Sequence, residues 1–172
     1  MYNLYEEQKK EIATIKERTI SLNLSDADCK RLARKCGEVG LTISALLENF
    51  IGDLVYGTYS NGSDENMFAN QWFERCGFSM PGEKTLLKHL LNYSYDIEEF
   101  IDVCDEINHY KEHPEEYEDE IKEDGYENLW FNVEYKDFTE DFINDNPNID
   151  MEKEIDICRK WLEDFKKFKG NC

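Results

Sequence analysis

Apolar and polar residues alternate strictly over the segment from Arg18 to Leu24. Ile20, Leu22 and Leu24 occupy every second position, and small polar residues lie between them. Because successive side chains of a β-strand point to opposite faces, this pattern predicts a strand with one apolar and one polar face. We therefore expect a half-buried strand at residues 18–24.

Two segments with helical periodicity follow this strand. Ser25 is a suitable N-cap for a first helix that extends to about Cys36, and Asp26 in its first turn favours the same start. Thr42 is the matching N-cap of a second helix, whose apolar residues recur at spacings of three and four. These apolar residues are Ile43, Leu46, Leu47, Phe50, Ile51 and Leu54.

The remaining pattern is mostly helical. Helices are expected at residues 3–16, at 83–91, from Asp96 onward, in a short segment that begins at Pro114, and from Asp150 to near the end of the sequence. Residues 129–135 alternate again, which predicts a second short strand.

The expected fold class is therefore mainly α, with a small β component (α+β). An N-terminal helix and a strand–helix–helix module fill residues 1–57, and an aromatic-rich connecting segment with a helix fills residues 58–91. An acidic, mostly helical region with at most a short strand or hairpin fills residues 92–172 and ends in a C-terminal helix.

Charge is distributed very unevenly along the chain. The sequence has 39 acidic and 20 basic residues, a net charge of −19. Residues 92–150 alone hold 21 acidic and 3 basic residues, a net charge of −18. Overall acidity argues against coating nucleic acid or an anionic membrane, because both require a basic surface. A concentrated block of charge instead creates a directional field that suits a basic partner.

Composition indicates a folded protein in a reducing compartment. Hydrophobic residues make up 40% of the chain, enough to bury a core. No apolar run approaches the length of a membrane span, and the N-terminus lacks the apolar stretch of a secretory signal. None of the six cysteines forms a CxxC pair. We expect a soluble cytoplasmic protein with no membrane contact.

The segment RTISLNLSDADCKRLARKCGEVGLTISALLENFIGDLV, which begins at Arg18, resembles the ribbon-helix-helix family of DNA-binding proteins. The resemblance implies a homodimer through residues 18–57, in which two strands pair into an antiparallel ribbon and the helices close a shared core. The module could instead only dimerise, or its strand could pair within the same chain.

The same resemblance implies which residues contact DNA. The outward strand positions would be Thr19, Ser21 and Asn23, with Arg18 beside them. The start of the second helix, from Thr42 to Ser44, would lie against a phosphate. These outward positions contain no Arg or Lys, the side chains that most often read guanine, so binding to duplex DNA is expected to be weak.

A second candidate surface is the run EHPEEYEDEIKED at residues 112–124, with eight acids in 13 positions. On a helix, carboxylates four residues apart stand about 6 Å apart along the axis, so such a row could resemble a phosphate strand. It would fit a protein groove that normally holds nucleic acid. The alternative is a solvated acidic face. The candidate partner-binding residues are Asp102, Asp105, Glu106, Glu112, Glu115, Glu116, Glu118, Asp119, Glu120, Glu123 and Asp124.

Signals for catalysis or metal binding are weak. His109 and His113 have the i, i+4 spacing that can hold a metal on a helix, with Asp105 nearby, but spacing offers no convincing further ligand. The sequence contains no GxSxG, HExxH, P-loop or GxGxxG motif. We therefore expect no cofactor, no metal and no enzymatic activity, while a carboxylate-based, metal-dependent nuclease stays an alternative.

The stretch LLENFIGDLVYGTYSNGSDENMFANQWFERCGFSMPGEKTLLKHLL is similar to proteins carried on mobile elements of gut Firmicutes. That group includes a type II-A anti-CRISPR family, which inhibits Cas9. The resemblance implies a non-enzymatic inhibitor in the bacterial host cell. It would bind the Cas9–guide RNA complex, block recognition or cleavage of target DNA, and so evade antiviral defence.

Two functional hypotheses follow. In the first, the acidic surface mimics DNA and binds Cas9 or another protein with a basic nucleic-acid groove. In the second, the chain is a dimeric ribbon-helix-helix transcriptional regulator with an acidic effector extension. The acidic block would repel the DNA operator of such a regulator, so the inhibitor is our leading hypothesis.

Overall fold

The computed structural model describes residues 4–78 and 84–170, and this part of the chain is mainly helical, as the sequence predicts. The protein divides into two compact units, Met1–Pro81 and Gly82–Cys172. We refer to them as the N-terminal unit and the C-terminal unit. Within the described ranges there is no β-strand, so the α+β component of the predicted fold class is absent.

The N-terminal unit contains four helices among its described residues. They are α1 (Leu4–Ala13), α2 (Asp26–Gly37), α3 (Ile43–Val55) and α4 (Ser63–Arg75). The predicted caps of α2 and α3 are confirmed: the Ser25 hydroxyl accepts from the Asp28 amide at 3.1 Å, and the Thr42 hydroxyl accepts from the Ala45 amide at 3.0 Å.

The strand predicted at residues 18–24 is not formed in the single chain. This segment has no regular secondary structure, and the side chains of Ile20, Leu22 and Leu24 are exposed. The physical reason is that a strand is stabilised by hydrogen bonds to a neighbouring strand, and no described segment supplies one. The prediction was therefore wrong for the isolated chain.

Close packing and hydrogen bonds constrain the junction between α3 and α4. Gly52 packs against the backbone of Tyr59, and a Cβ at Gly52 would lie 2.8 Å from the Tyr59 carbonyl carbon. The Asp53 carboxylate accepts hydrogen bonds from the backbone and side-chain amides of Asn61, at 2.6 and 2.9 Å. The Asn66 side chain donates to the Asp53 carbonyl oxygen. These contacts fix the loop to both helices.

The C-terminal unit contains five α-helices among its described residues, with a 3₁₀ turn on either side of α7. The α-helices are α5 (Leu86–Asn92), α6 (Ile97–Glu112), α7 (Glu118–Asp124), α8 (Trp130–Asp145) and α9 (Met151–Lys169), and the 3₁₀ turns span Pro114–Tyr117 and Tyr126–Asn128. The predicted starts of α6 and α9 are confirmed, because the side chains of Asp96 and Asp150 cap these helices by accepting hydrogen bonds from amides of their first turns.

Helix α6 packs against both α8 and α9, and its buried stripe forms the centre of the hydrophobic core. Ile97, Phe100, Ile101 and Cys104 follow the i, i+3, i+4, i+7 pattern of an amphipathic helix, and Val103 is buried beside them. Leu86 and Leu90 of α5, Phe131 and Thr139 of α8 and Cys158 of α9 are also fully buried.

The strand predicted at residues 129–135 was wrong, because residues from Trp130 onward form α8. Phe131, Tyr135, Phe138 and Phe142 recur at spacings of four, three and four, which places them on one face of a helix. Phe131, Phe138 and Phe142 are buried in the core. The alternation covers only seven residues, so the longer helical stripe decides the structure.

A buried carboxylate ties α9 to the start of α5. Glu154 is only 6% exposed, and its Oε2 accepts a hydrogen bond from the Leu86 amide at 2.8 Å. The Thr85 hydroxyl accepts from the Lys88 amide in the same first turn. Because a helix N-terminus has amides without partners inside the helix, Glu154 satisfies one of them inside the core.

Substitution of Gly52 tests the close approach of α3 to the following loop. Alanine normally stabilises a helix interior, but a Cβ here would meet Tyr59 backbone atoms that cannot rotate away. We expect Gly52→Ala to lower the free energy of unfolding by about 1–3 kcal/mol. Gly37→Ala in α2 is the matched control, since its Cβ would meet nothing within 4 Å. Chemical denaturation of both variants measures the difference, and equal stability would contradict this packing.

Candidate functional site

The acidic run at residues 112–124 does not form one continuous helix. Glu112 ends α6, Glu115 and Glu116 lie in the 3₁₀ turn, and the acids from Glu118 onward belong to α7. Pro114 lies two residues after the end of α6, and it lacks the amide hydrogen that would continue the helix. The row of regularly spaced carboxylates expected on one helix edge is therefore replaced by acids from three short elements.

Tyr117 anchors this acidic segment to α6. Its side chain is buried, and its hydroxyl donates a hydrogen bond to the Glu106 carboxylate at 2.6 Å. Edge-on ring contacts with Tyr110 and Phe131 surround it, with centroid distances of 5.5 and 5.7 Å. Donation to Glu106 raises the pKa of Tyr117 to about 12, so the phenol keeps its proton. Glu106 is therefore a positioning residue of this segment.

His109 provides a second connection between α6 and the 3₁₀ turn. Its Nε2 lies 3.0 Å from a carboxylate oxygen of Glu116. This hydrogen bond, with the charge of nearby acids including Glu112, raises the pKa of His109 above its ordinary value of 6.5. The neighbouring His113 lies 3.7 Å from Glu115.

The histidine pair belongs to this electrostatic network. The rings of His109 and His113 lie 4.8 Å apart, but each histidine faces a different glutamate. No group of three or more histidine, cysteine, aspartate or glutamate side chains suited to a metal ion occurs in residues 4–78 and 84–170. In the described structure, each histidine contacts a glutamate of the acidic segment.

Other candidate carboxylates also have partners within the unit. Asp105 of α6 forms two hydrogen bonds with Arg159 of α9, which joins these helices across the surface of the core. Glu118 and Asp119 both contact Lys122, at 3.3 and 3.5 Å. These acids are partly neutralised by bases of the same chain, although Glu118 and Asp119 stay well exposed.

A smaller group of acids faces solvent without such a partner. Asp102, Glu112, Glu120 and Glu123 are exposed, and no hydrogen bond or ion pair joins them to another side chain in the described ranges. The side chain of Asp124 lies outside the described part of the structure. We name Asp102, Glu112, Glu120 and Glu123 the open carboxylates. They are the predicted site residues best able to meet an external cation.

The acidic surface also extends beyond the residues chosen from the sequence. Glu127 lies in the second 3₁₀ turn, and Asp137 and Asp141 lie on α8, all with exposed side chains. The sequence does indicate these additional acids, because the strongly negative segment 92–150 includes α8. Exposed Trp130 and Val133 lie among these acids and offer apolar contact area.

The DNA-contacting candidates lie in two places within the N-terminal unit. The first four are exposed residues of the segment that lacks regular structure: Arg18, Thr19, Ser21 and Asn23. Thr42 and Ser44 lie at the start of α3, where the Thr42 side chain is occupied in capping the helix. The start of the second helix is thus where the sequence predicts it, whereas the strand that would present the other residues is missing.

Neither comparison with known proteins nor the hydropathy of the helices points to a function. No known protein family, no curated protein and no solved structure matches the chain. Among the helices of the described ranges, none is long and apolar enough to span a membrane.

The His109–Glu116 contact predicts a measurable pH dependence. A histidine with a raised pKa contributes stability below its unfolded value near 6.5, and this contribution is lost as the pH rises through the folded value. We expect NMR titration to give His109 a pKa above 6.5, and Glu116→Gln to bring that pKa back towards 6.5. Glu115→Gln is the control, because Glu115 contacts His113 instead. An unchanged His109 titration in Glu116→Gln would refute the assignment.

Proposed function

We propose that this protein is a non-enzymatic inhibitor of Cas9 loaded with guide RNA. Its acidic C-terminal unit would occupy a groove that normally holds nucleic acid, and would block recognition or cleavage of target DNA. The observation that carries the proposal is the concentration of a net charge of −18 in residues 92–150, where the open carboxylates lie. The resemblance of residues 46–91 to mobile-element proteins favours the same partner and a site of action in the bacterial cytoplasm.

Electrostatics supplies the physical mechanism. Effectors of the Cas9 type hold nucleic acids in positively charged channels and read a short DNA motif through arginines. Exposed carboxylates can pair with those lysines and arginines in place of phosphates, which accelerates association and excludes the DNA. Such binding weakens as salt screens the charges.

Preorganisation of the acidic surface favours this mechanism. The Tyr117–Glu106 hydrogen bond and the His109–Glu116 contact hold the 3₁₀ turn against α6, and α7 follows that turn directly. Because the acids are held before binding, less conformational entropy is lost when a partner binds. Glu106 and Glu116 would therefore support binding indirectly, whereas the open carboxylates would make direct contact.

The second candidate function is a ribbon-helix-helix regulator that binds duplex DNA weakly through residues 18–24. The observation that favours it is the succession of α2 and α3 with both caps at the predicted residues, Ser25 and Thr42. In this proposal, residues 18–24 of two copies would pair as antiparallel strands, because a strand is stabilised by hydrogen bonds to a neighbouring strand. The homodimer through residues 18–57 is compatible with either function.

Reversing the open carboxylates separates the two functions. We expect the triple variant Glu112→Lys, Glu120→Lys, Glu123→Lys to weaken inhibition of target cleavage by on the order of 100-fold, because each reversal removes roughly 1 kcal/mol of attraction or more. The control reverses three exposed acids of the N-terminal unit, Glu7, Glu17 and Glu48, and changes the net charge equally. Cleavage of a target duplex by guide-loaded Cas9 is measured against inhibitor concentration.

Each outcome of this comparison decides between the hypotheses. If only the Glu112→Lys, Glu120→Lys, Glu123→Lys variant loses inhibition, the result would support the inhibitor hypothesis. Full inhibition by that variant, equal loss in the control, or no inhibition by the wild-type protein would refute the acidic-surface proposal. The regulator instead predicts sequence-selective duplex binding that falls when Ser21 or Asn23 is changed to alanine and does not depend on the open carboxylates.

A further inference from the structure

The N-terminal unit leaves most of its large apolar side chains in contact with solvent. Among its described hydrophobic residues, only Cys36 and Ala69 are buried. Exposed large apolar residues occur on α1, α3 and α4 and in the segment between α1 and α2; they include Ile12, Ile20, Leu22, Leu24, Ile43, Ile51, Val55 and Met67. A folded domain needs a larger core than this, so the unit as a single chain is incomplete.

Aromatic residues of α3, α4 and the turn after α4 form the most continuous part of this surface. Phe50 of α3 contacts Trp72 of α4 with ring centroids 5.3 Å apart, and Phe78 contacts Trp72 at 5.9 Å. Phe68 lies one turn before Trp72, and both side chains line one shallow groove. We name Phe50, Phe68, Trp72 and Phe78 the aromatic face; all four side chains are exposed.

We propose that a second copy of this chain covers the aromatic face. The dimer interface would then extend from residues 18–24 and α3 onto α4, which lies outside the segment that resembles the ribbon-helix-helix family. The inference rests on the homodimer proposed above and adds the surface that completes its core. Helix α3 connects the two regions, because it carries exposed Ile43 and Ile51 as well as Phe50.

Charge favours a second copy as the occupant. Residues 4–78 contain 9 basic and 12 acidic residues, a net charge of −3, so little repulsion opposes contact between two N-terminal units. Residues 84–170 contain 11 basic and 26 acidic residues, a net charge of −15, so two C-terminal units repel each other. Self-association should therefore use the N-terminal unit, and its nearly neutral apolar surface offers a charged partner little electrostatic attraction.

The area of the aromatic face supports a shared interface. An aromatic side chain buries 150–250 Å², so the exposed parts of these four residues amount to roughly 400 Å² per copy. Two copies would bury roughly 800 Å², less than the roughly 1,200 Å² of a stable specific interface. Adding the apolar residues of α3 and of segment 18–24 exceeds that size, which is why the inference joins the two regions in one interface.

The aromatic face is also held rigid before association. Gly52 lets the backbone of Tyr59 approach α3, and Asp53 binds Asn61 and Asn66 on the way to α4. Phe50 and Trp72 are thus fixed relative to each other by contacts outside the aromatic face. A preformed surface of this kind loses little entropy when it is covered.

The test compares two equally exposed tryptophans. Trp72 is 47% exposed and Trp130 of the C-terminal unit is 49% exposed. We expect the wild-type protein to have twice the 20.4 kDa chain mass in sedimentation equilibrium, and Trp72→Glu to weaken dimerisation at least 100-fold. Trp130→Glu and the conservative Trp72→Phe should remain dimeric. Far-UV circular dichroism checks that each variant is helical.

A second variant covers the case in which Trp72→Glu does not fold. Phe68 is 62% exposed and has no ring contact with another described aromatic residue, so Phe68→Glu disturbs the single chain little. It should also weaken dimerisation. A helical wild-type monomer would overturn the inference, and so would dimers of unchanged affinity in Trp72→Glu or, if that variant is unfolded, in Phe68→Glu.

The mass measurement is independent of the nuclease assay. Loss of the dimer in the Leu22→Glu variant but not in Trp72→Glu would keep the ribbon-helix-helix interface and refute only its extension onto α4. Failure to inhibit Cas9 would refute the proposed function without affecting the measured mass. A monomeric wild-type protein that still inhibits Cas9 would refute both dimer proposals and leave the acidic surface in place.

Discussion

The C-terminal unit depends on an apolar stripe that holds strongly repelling charges close together. The buried face of α6 packs against α8 and α9, while the exposed faces of the unit carry most of the negative charge of the protein. Burial of the phenylalanine, isoleucine and leucine side chains in the core of the C-terminal unit contributes on the order of 1.5–3 kcal/mol each to its stability. Ion pairs of α9 with α6, Arg159 with Asp105 and Lys166 with Glu98, reduce the repulsion locally.

Internal pairing divides the acids of this unit into two kinds. The contacts of Glu106 with Tyr117 and of Glu116 with His109 determine how the acidic segment lies on α6. Asp105 is held by Arg159 and joins α6 to α9. The open carboxylates have no such contact in the described structure, so their charge is available to a partner. A count of acidic residues treats both kinds alike, whereas the structure assigns them different roles.

Local signals explain which parts of the fold are predictable from the sequence. The starts of α2, α3, α6 and α9 follow from single capping residues, because a cap and its amide partners lie within three residues of each other. The prediction of a strand at residues 129–135 was wrong because a longer helical stripe overlaps the alternating segment. The prediction of a strand at residues 18–24 was wrong because a strand needs a second segment to pair with, and a local pattern carries no information about that segment.

The acidic site was predictable only as a region. Its position follows from charge along the sequence, but the Tyr117–Glu106 and His109–Glu116 pairs connect residues 11 and 7 positions apart across a break in the helix. Such pairs depend on how the 3₁₀ turn folds back on α6. Spacing on an assumed single helix therefore could not distinguish positioning acids from open carboxylates.

The two units have opposite requirements for association. Burial of apolar surface in the N-terminal unit is nearly independent of charge, and salt would even assist it by screening the repulsion between acidic units. Binding of the open carboxylates to a basic groove has the reverse dependence, because salt screens the attraction itself. If both proposals hold, one chain combines an apolar contact that joins like molecules with a charged contact that selects an unlike one. The separation of charge along the sequence is what makes these two contacts compatible.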